Sequence, residues 1–222
     1  MTYLNENYLY WQKGYNAPNV ESFIFRFYGF YLKEKKNLKL IDFGCGEGAA
    51  VNFFNNSKIN SIGVDISKKD IRNAKKKYPR YKNKFICINS FEDLDVKENY
   101  NRFDVVVASQ SLYYLSNSDF KKLILILHKI LKKNGILFAS MISYKSTLYK
   151  NSKKFKNGLR MVTKDNNRKF PKHYINFTKN YNSTLSKFSK FKKIDLGYYS
   201  VCFDRHNDGN HHYVFIGKKQ HD

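Results

Sequence analysis

The sequence predicts an α/β fold, a mostly parallel β-sheet covered by helices on both faces. Short apolar runs alternate with helical patterns from residue 38 to residue 142. One of these runs, residues 103–108, is apolar on both faces, as a central parallel strand should be. Because strands that alternate with helices pair in parallel across those helices, this order predicts one sheet with helices on either side.

Five strands are assigned to the apolar runs of this stretch: residues 38–43, 59–64, 85–88, 103–108 and 136–142. After them the pattern changes. Residues 193–203 and 212–218 are interpreted as two further strands. The polar turn over residues 204–210 contains Gly209 and can close an antiparallel hairpin between them.

Helices are predicted where apolar residues recur every three or four positions. The predicted helices cover residues 20–34, 47–54, 67–78, 120–131 and 178–191. Ser67 can cap the third of them and Pro79 ends it. Gly135 is interpreted as the stop signal of the fourth.

The composition excludes several classes of protein. Hydrophobic residues make up 42% and aromatic residues 17% of the 222 residues, which excludes wholesale disorder. No apolar window is long enough for a membrane span, and the N-terminus does not resemble a signal peptide. Three scattered cysteines argue against a disulfide framework or a zinc site and fit a reducing cytoplasm. No metal is therefore expected.

The net charge of +23 favours anionic partners through its long-range field. However, 34 of the 41 basic residues are Lys, and Lys excess is typical of AT-rich genomes. Arg, the residue that forks onto phosphate and guanine, occurs only seven times. The charge is therefore used as evidence only where Lys is locally dense.

A glycine-rich segment, Asp42-Phe43-Gly44-Cys45-Gly46-Glu47-Gly48, stands at the end of the first predicted strand. Alternating glycines let the backbone pass close to a ligand and turn sharply into a helix. Asp65 ends the second predicted strand, 19 residues beyond Gly46, where an acid can accept hydrogen bonds from ribose hydroxyls. Together the two features predict a nucleoside-binding site.

A dinucleotide and S-adenosyl-L-methionine compete for such a loop. A dinucleotide places its pyrophosphate at the helix N-terminus, and the Asp42 carboxylate would repel it. S-Adenosyl-L-methionine carries a sulfonium and an ammonium group instead of phosphates. The acid at position 42 therefore favours S-adenosyl-L-methionine.

Five segments carry a resemblance to the class I S-adenosylmethionine-dependent methyltransferases: LIDFGCGEGAA (40–50), GVDIS (63–67), NSFEDL (89–94), FDVVVASQSLYYL (103–115) and LHKILKKNGILFAS (127–140). The resemblance covers residues 38–142, and the final helix and hairpin are similar to the family's usual ending. It implies a Rossmann-like, seven-stranded, mostly parallel sheet with the last strand antiparallel. It also implies that the cofactor binds at the carboxyl ends of the first strands.

Carried over by position, the resemblance implies how the methionine end of the cofactor is held. Gly44 and Gly46 would line it, with Cys45 as a small filler residue in the same loop. Asp42 would organise the loop or meet the ammonium group. The remaining contacts would come from the segment after the fourth strand and from the N-terminal arm: Ser109, Gln110, Trp11 and Tyr15.

The resemblance also implies contacts to the nucleoside end. Asp65, followed by Ile66, would hold the ribose. Ser90 stands where the family often has an Asp that bonds the adenine amine. Phe91 could offer its backbone N–H to adenine, and Glu92 is next in line.

We interpret residues 1–222 as a single methyltransferase domain with four regions. The regions are an N-terminal helical arm (1–36), a cofactor-binding core (37–142), a basic acceptor-side insert (143–176) and the final helix and hairpin (177–222). Residues 145–172 of the insert contain ten Lys or Arg and one acid. Placed after the fifth strand, this charge predicts an anionic acceptor, with Arg160, Arg168 and Arg205 as candidates to bind it.

The segment after the fourth strand excludes several acceptor types. It lacks the Pro-Pro-aromatic motif of relatives that methylate DNA base amines, and Ser109 and Gln110 supply no acids for a metal-dependent catechol type. No cysteine fits a cytosine C5 enzyme. The pattern is most similar to the small-molecule group of the superfamily, in which Tyr113 and Tyr114 could line the acceptor pocket.

Four histidines are candidates for a general base that takes a proton from an acceptor hydroxyl. His206, His211 and His212 belong to or follow the polar turn of the hairpin, and His173 lies in the basic insert. The sequence does not choose among them.

The sequence therefore predicts a cytoplasmic methyltransferase that uses S-adenosyl-L-methionine and releases S-adenosyl-L-homocysteine. Its expected acceptor is a small anionic metabolite methylated at oxygen, such as a phosphorylated or nucleotide-activated sugar precursor of a surface capsule. An RNA methyltransferase, whose Lys-rich face would hold phosphates, is the first alternative. A non-catalytic subunit that binds the cofactor or a partner is the second.

Overall fold

A seven-stranded β-sheet runs through the protein in the order β3-β2-β1-β4-β5-β10-β9. The computed structural model describes residues 2–12, 20–165, 168–201 and 210–220, and only the backbone at 11, 12, 165, 168–170 and 201. The strands of this sheet are β1 (Lys39–Phe43), β2 (Asn60–Asp65), β3 (Phe85–Cys87), β4 (Phe103–Ala108), β5 (Leu131–Ile142), β9 (Phe191–Val201) and β10 (Asn210–Lys219).

The helices are α1 (Tyr3–Gln12), α2 (Ser22–Phe27), α3 (Ala49–Asn56), α4 (Lys68–Lys77), α5 (Asn117–Ile130), α6 (Thr147–Lys150) and α7 (Tyr181–Lys187). A π-helical turn, Tyr28–Leu32, continues α2, and a 3₁₀ turn, Leu112–Tyr114, follows β4. A second sheet has three strands: β6 (Ser152–Lys154), β7 (Arg160–Asp165) and β8 (Arg168–Ile175).

The pairing of the strands confirms the predicted fold. β3, β2, β1, β4 and β5 are mutually parallel, and β10 is antiparallel to both β5 and β9. The strand order reverses between β1 and β4, so the loops after these two strands leave in opposite directions. A crevice opens at such a switch point at the carboxyl ends of the strands, and this is where the predicted site residues lie.

Helices cover both faces of the sheet, each with its own core. On one face α5 packs Leu123 and Leu127 against the sheet. On the other face the arm and α3 supply Phe27 and Phe54. All four side chains are at most 1% exposed. The two cores hold the carboxyl ends of β1 and β4 in fixed relative positions, because both strands are buried between them.

Of the predicted helix boundaries, the cap at Ser67 is confirmed and the stop at Gly135 is wrong. The Ser67 hydroxyl accepts the Asp70 N–H at 3.2 Å and caps α4, as predicted. The assignment of Gly135 as a helix stop was wrong, because α5 ends at Ile130 and β5 begins at the next residue. Gly135 lies inside the strand, where a Cβ would meet the Leu131 side chain at 2.8 Å, so packing requires the glycine.

The insert after β5 is a small antiparallel sheet, β6-β7-β8, preceded by the short helix α6. These strands were not predicted, because Lys residues interrupt the apolar alternation. The helix predicted over residues 178–191 is shorter, and Asn180 caps it reciprocally with Ser183. The turn predicted over residues 204–210 and Gly209 lies outside the described residues apart from Asn210.

The N-terminal helix α1 is attached to the insert by one buried amide. Asn7 is 4% exposed, and its Nδ2 donates to the carbonyl oxygens of Tyr114 and Tyr174 at 3.1 and 3.0 Å. Its Oδ1 accepts the Tyr174 N–H at 2.6 Å. Asn7 thus continues the hydrogen bonding of β8 and joins three segments distant in sequence. At the start of the same helix, the Tyr3 hydroxyl donates to Asp119.

We expect Asn7→Ala to lower the free energy of unfolding by about 2–4 kcal/mol, because it leaves buried backbone groups of Tyr114 and Tyr174 without partners. The matched control is Asn5→Ala on the exposed side of α1, which shares the change in helix propensity. Urea unfolding of both variants measures the difference. Equal midpoints would mean that the amide does not hold α1 in place.

Candidate functional site

The glycine loop after β1 turns at the carboxyl edge of the sheet. Gly44, Gly46 and Gly48 have φ values of +73°, +51° and +79°, a region that other residues rarely adopt. A Cβ on Gly44 would stand 2.5 Å from the Cβ of Ser111, in the segment after β4. A Cβ on Gly46 would meet no atom within 4 Å. The loop therefore packs tightly against the β4 side and leaves open space in front of Gly46.

Asp65 joins the glycine loop to the end of β2. Its Oδ2 accepts the Gly46 N–H at 2.9 Å, and its Oδ1 accepts the Ser67 N–H at 2.8 Å. Each carboxylate oxygen retains a second lone pair for a ligand hydroxyl. Burial raises the pKa of Asp65, although the N–H groups of Ser67 and Gly46 act in the opposite direction.

Asp42, the last-but-one residue of β1, is a buried acid, 3% exposed. Burial, with the nearby charge of Asp65, raises its pKa from 3.8 to about 7. Two acids close together in a dry site disfavour each other's charge and attract a cation. The site therefore suits a positively charged ligand and opposes a pyrophosphate.

The other residues of the predicted cofactor site lie around this loop. Cys45 is half-buried, and its Sγ occupies the space above Gly63, where a Cβ would meet it at 2.7 Å. Burial raises the pKa of its thiol, so it is a filler residue rather than a nucleophile. Ile66 is 39% exposed next to Asp65, which leaves its side chain available to a ligand.

The segment after β3 supplies the predicted adenine contacts. Ser90 precedes a 3₁₀ turn, Phe91–Leu94, without capping it through its side chain. The ring of Phe91 is 7% exposed and belongs to the main core, so it does not contact a ligand. Its backbone N–H stays the predicted contact to adenine. Glu92 is exposed.

The segment after β4 reaches across to the last strands. Gln110, at φ +53°, donates its N–H to the Ser140 hydroxyl at 2.7 Å. Its Nε2 donates to the Tyr199 hydroxyl at 3.0 Å and lies 3.5 Å from a carboxylate oxygen of Glu21. Ser109 precedes it and is half-buried. Gln110 thus links the sheet edge, β9 and the start of α2.

Behind Gln110 the protein gathers an aromatic cluster, which we define by its members: Tyr10, Tyr113, Tyr114, Tyr199, His173 and His212. Burial raises the pKa of the phenols of Tyr113, Tyr114 and Tyr199, and the nearby hydroxyl of Tyr10 adds to this for Tyr113 and Tyr114. All these phenols are therefore neutral at physiological pH. The rings of the predicted acceptor-side residues Tyr113 and Tyr114 contact each other inside this cluster, with centroids 4.6 Å apart and planes tilted by 44°.

His212 lies at the centre of the cluster. Its ring stacks on Tyr199 at 4.8 Å and meets the ring of Tyr113 at 5.4 Å. It is fully buried, and this burial lowers its pKa to about 3. Its Nε2 lies 2.8 Å from Asn210 Oδ1, while Nδ1 has no hydrogen-bond partner among the described residues.

His173, on β8 of the insert, enters the cluster from the other side. It is 1% exposed and stacks on Tyr10 of α1 at 3.8 Å. Its Nδ1 lies 2.9 Å from the carbonyl oxygen of Pro171, and its Nε2 has no partner in the described part of the chain. Burial lowers its pKa to about 4.

The other predicted histidines are not part of this cluster. His211 points to the opposite face of the sheet, where its Nδ1 lies 2.8 Å from the Ser143 hydroxyl and its ring stacks on Tyr198. His206 and Arg205 lie outside the described residues, and so does Tyr15. Trp11 is described only by its backbone in α1.

Arg160, predicted to bind an acceptor anion, already has partners within the insert. Its Nε and Nη2 donate to the hydroxyl and the carbonyl oxygen of Ser152 at 2.6 and 2.7 Å, and its guanidinium lies over Tyr149. These bonds occupy two of its five N–H donors, so its role in binding an acceptor stays a prediction. Only the backbone of Arg168 is described.

Sequence reasoning missed four residues of the site: Tyr10, Glu21, Ser140 and Tyr199. They come from α1, the start of α2, β5 and β9, and no short motif connects them. The only signal was the density of aromatic residues in the N-terminal arm. Within the described ranges, no three His, Cys, Asp or Glu side chains are grouped to hold a metal ion. None of the helices there has the length and apolar content to cross a membrane.

The comparison with protein families gives a match over most of the chain. The family described as "Methyltransferase domain" matches residues 34–196, from before β1 into β9.

Two relatives align with about half of the chain. An uncharacterised protein of Rickettsia prowazekii is 36% identical over 106 residues, 46% of this chain and 42% of that protein. The ubiquinone biosynthesis O-methyltransferase of Pelagibacter ubique is 32% identical over 111 residues, 50% of this chain and 45% of that protein. The chain thus aligns with less than half the length of either relative.

A solved structure shares the whole architecture. An S-adenosylmethionine-dependent methyltransferase of Methanosarcina mazei superposes with a TM-score of 0.70 at 14% identity, covering 92% of this chain and all of that one. At this identity the likeness concerns the fold.

Proposed function

The chain belongs to the methyltransferase-domain family, and from this premise we propose that it transfers a methyl group from S-adenosyl-L-methionine to an oxygen atom of a small organic acceptor. The observation that carries the choice of oxygen is the neutral, buried imidazole of His212. His212 is connected to the segment after β4 by two contacts: its ring stacks on Tyr199, and the Tyr199 hydroxyl accepts a hydrogen bond from Gln110. Such an imidazole can take the proton of an attacking hydroxyl.

The residues of the glycine loop fit the cofactor. The open space before Gly46 admits a ligand against the backbone, and Asp65 keeps lone pairs for ribose hydroxyls. The buried Asp42 favours the positive charge of the ammonium group. These are the contacts that the motif predicts for S-adenosyl-L-methionine, and the same pair of acids opposes a dinucleotide.

When bound, S-adenosyl-L-methionine supplies an electrophilic methyl group on a sulfonium, so a C–O bond forms as the C–S bond breaks and a neutral thioether leaves. The protein aligns the acceptor oxygen and excludes water from it. Tyr113 and Tyr199 build the dry wall on the acceptor side. His212 Nδ1 receives the hydroxyl proton.

The charge of the site is unchanged by this step. One positive charge is lost from the sulfonium as one is gained on the His212 imidazole. The charge of Glu21 acts on Tyr113 and Tyr199, whose rings contact His212, and it favours a cation there in both states. The low pKa of the free imidazole therefore does not prevent it from accepting the proton at the moment of transfer.

An anionic acceptor is the second candidate, favoured by the exposed Lys residues of the insert, among them Lys153, Lys154 and Lys156. It receives little support from the buried cluster, where the charged side chain is the carboxylate Glu21. The phosphorylated or nucleotide-activated sugar, the capsule precursor, RNA and the non-catalytic role therefore stand as alternatives that an assay must include. The sugar precursors and RNA share a phosphate that exposed lysines could attract.

The deciding experiment is a transfer assay with S-adenosyl-L-methionine labelled at the methyl group. The acceptor pools are phenolic and other neutral hydroxyl compounds, phosphorylated metabolites, nucleotide sugars and RNA. Label in the neutral hydroxyl pool supports the proposal. Label confined to RNA or to nucleotide sugars would replace it, and no label with tight cofactor binding would favour a non-catalytic subunit.

Cofactor affinity is expected to depend on pH through Asp42. Its pKa of about 7 means that the carboxyl group of the free protein is largely neutral at pH 6 and ionised at pH 8. Because a cationic ligand favours the ionised form, the Kd of S-adenosyl-L-homocysteine, which keeps the ammonium, should be about tenfold weaker at pH 6 than at pH 8. Calorimetry at the two pH values measures the ratio.

The matched variant is Asp42→Asn, whose Kd should change little over the same range. The free energy of unfolding of the free protein should change with pH in the opposite direction to cofactor affinity: it should fall as the pH rises. A raised carboxyl pKa makes the folded state favour protonation, so this contribution is present below the unfolded pKa of 3.8 and is lost as the pH rises through about 7. A pH-independent Kd in the original protein would contradict a role of Asp42 in binding the ammonium.

A further inference from the structure

Two buried nitrogens of the aromatic cluster have no hydrogen-bond partner in the part of the chain that the structure describes. They are His212 Nδ1 and His173 Nε2, on rings that are 0% and 1% exposed. A buried polar atom without a partner destabilises the folded state, so proteins rarely retain one that nothing satisfies. Neither residue belongs to the cofactor loop. Both nitrogens therefore point to a ligand.

The partner of the second nitrogen on each ring fixes its protonation. His212 Nε2 faces Asn210 Oδ1, and His173 Nδ1 faces the carbonyl oxygen of Pro171. Both oxygens can only accept, so these two nitrogens carry the hydrogen. The unpartnered nitrogens, His212 Nδ1 and His173 Nε2, are consequently lone-pair acceptors. Each of them requires a donor from the ligand.

The surroundings describe the rest of the ligand. His173 stacks on Tyr10, and His212 contacts Tyr113 and Tyr199. The Tyr10 hydroxyl acts electrostatically on Tyr113, so the two groups of rings are neighbours. Phe23 of α2 stacks on Tyr199 at 4.4 Å and extends the flat surface. Stacked planar walls favour a planar ligand.

The charges near the cluster oppose an anion. Glu21 lies 3.5 Å from Gln110 Nε2, and its charge contributes to the raised pKa values of Tyr113 and Tyr199. The cation Lys145 acts on His211, on the other face of the sheet. A phosphate or carboxylate in the cluster would therefore be placed beside a carboxylate in a dry site.

We propose that the acceptor is an uncharged, planar ring compound with two hydrogen-bond donors, a dihydroxylated phenol type, one donor for His212 Nδ1 and one for His173 Nε2. This inference rests on the proposed function and specifies its substrate class. The hydroxyl at His212, next to Gln110 and the post-β4 segment, is the one that accepts the methyl group. The hydroxyl at His173 orients the ring and is released unmethylated.

The test uses the full chain loaded with S-adenosyl-L-homocysteine and measures ligand Kd by NMR titration. The probes are catechol, resorcinol and hydroquinone, their dimethoxy analogues, and glucose 1-phosphate. We expect at least one dihydroxybenzene to bind about tenfold more tightly than its dimethoxy analogue, which has the same ring and no donors. Glucose 1-phosphate should bind more weakly than both.

Two variants test the assignment of the nitrogens. His173→Phe and His212→Phe keep a buried ring and remove one acceptor each, so either should lower the preference for the dihydroxy compound about three- to tenfold. His211→Phe, on the opposite face, should leave it unchanged. Unaltered S-adenosyl-L-homocysteine affinity shows that the variants are folded, and His173→Gln and His212→Gln replace any that is not.

The outcomes separate this inference from the proposed function. If S-adenosyl-L-homocysteine binds but no dihydroxybenzene is preferred over its dimethoxy analogue, the substrate class is wrong and the methyltransferase assignment is unaffected. Tighter binding of glucose 1-phosphate than of any ring compound overturns the inference in favour of an anionic acceptor. Failure to bind S-adenosyl-L-homocysteine overturns both proposals.

Discussion

Replacing His212 with glutamine is expected to lower the turnover rate about 10²- to 10³-fold, the range in which a general base contributes. The side chain keeps a similar size and a polar end but cannot take up a proton. Because His212 lies on β10, away from the glycine loop, the affinity for S-adenosyl-L-homocysteine should stay within about twofold. Steady-state kinetics with the acceptor found in the transfer assay, together with calorimetry of cofactor binding, measure the two quantities.

The neighbouring residue provides the control. His211→Gln changes the same side chain one position earlier, but on the opposite face of the sheet, where it bonds Ser143. Its turnover should be within about twofold of the original protein. Equal losses in both variants would show that the effect comes from the structure of β10. No loss in either would mean that the hydroxyl proton leaves by another route.

The pH profile gives an independent check on His212. Its pKa of about 3 keeps the imidazole neutral throughout the range in which the protein is assayed. At saturating cofactor, the turnover rate should therefore show no inflection from an imidazole between pH 6 and 8. An inflection near 6.5 that is lost in His212→Gln would mean that the free ring is more basic than its burial implies.

The parts of the fold that were predictable are those with a local cause. The apolar runs located the parallel strands, and Ser67 caps α4 as predicted. The insert was not predictable as a sheet, because β6–β8 are held by contacts with α1 through Asn7 rather than by an apolar alternation of their own. Gly135 was expected to end a helix, but it lies in β5, where its contact with Leu131 leaves no room for a Cβ.

The same distinction applies to the site. The glycine loop and Asp65 were identified from residue types and their spacing, whereas the hydrogen bond between Gly46 and Asp65 was not predicted. The aromatic cluster draws on α1, β8, β9 and β10, which only the fold brings together. Whether His211 or His212 faces the cluster depends on strand register, since adjacent residues point to opposite faces of a sheet. The sequence shows both histidines but does not show which of them faces the cluster.

The second large effect is expected from the same substitution at two glycines of the loop. Gly46→Ala should weaken S-adenosyl-L-homocysteine binding about 10- to 100-fold, because its Cβ would enter the open space that we assign to the cofactor. Its stability should fall by only about 1–2 kcal/mol, the strain of alanine at φ +51°. Binding is thus lost from a protein that is still folded.

Gly44→Ala should behave differently, although it lies only two residues away. Its Cβ would stand 2.5 Å from the Cβ of Ser111, a group close to the backbone that cannot move aside, so folding itself should lose about 2–5 kcal/mol. Gly29→Ala, with nothing within 4 Å and an ordinary φ, is the neutral control. Thermal unfolding and calorimetry on the three variants separate the two effects. If Gly46→Ala kept its cofactor affinity, the space before Gly46 would not be the cofactor site, and the assignment of this loop to S-adenosyl-L-methionine would be lost with it.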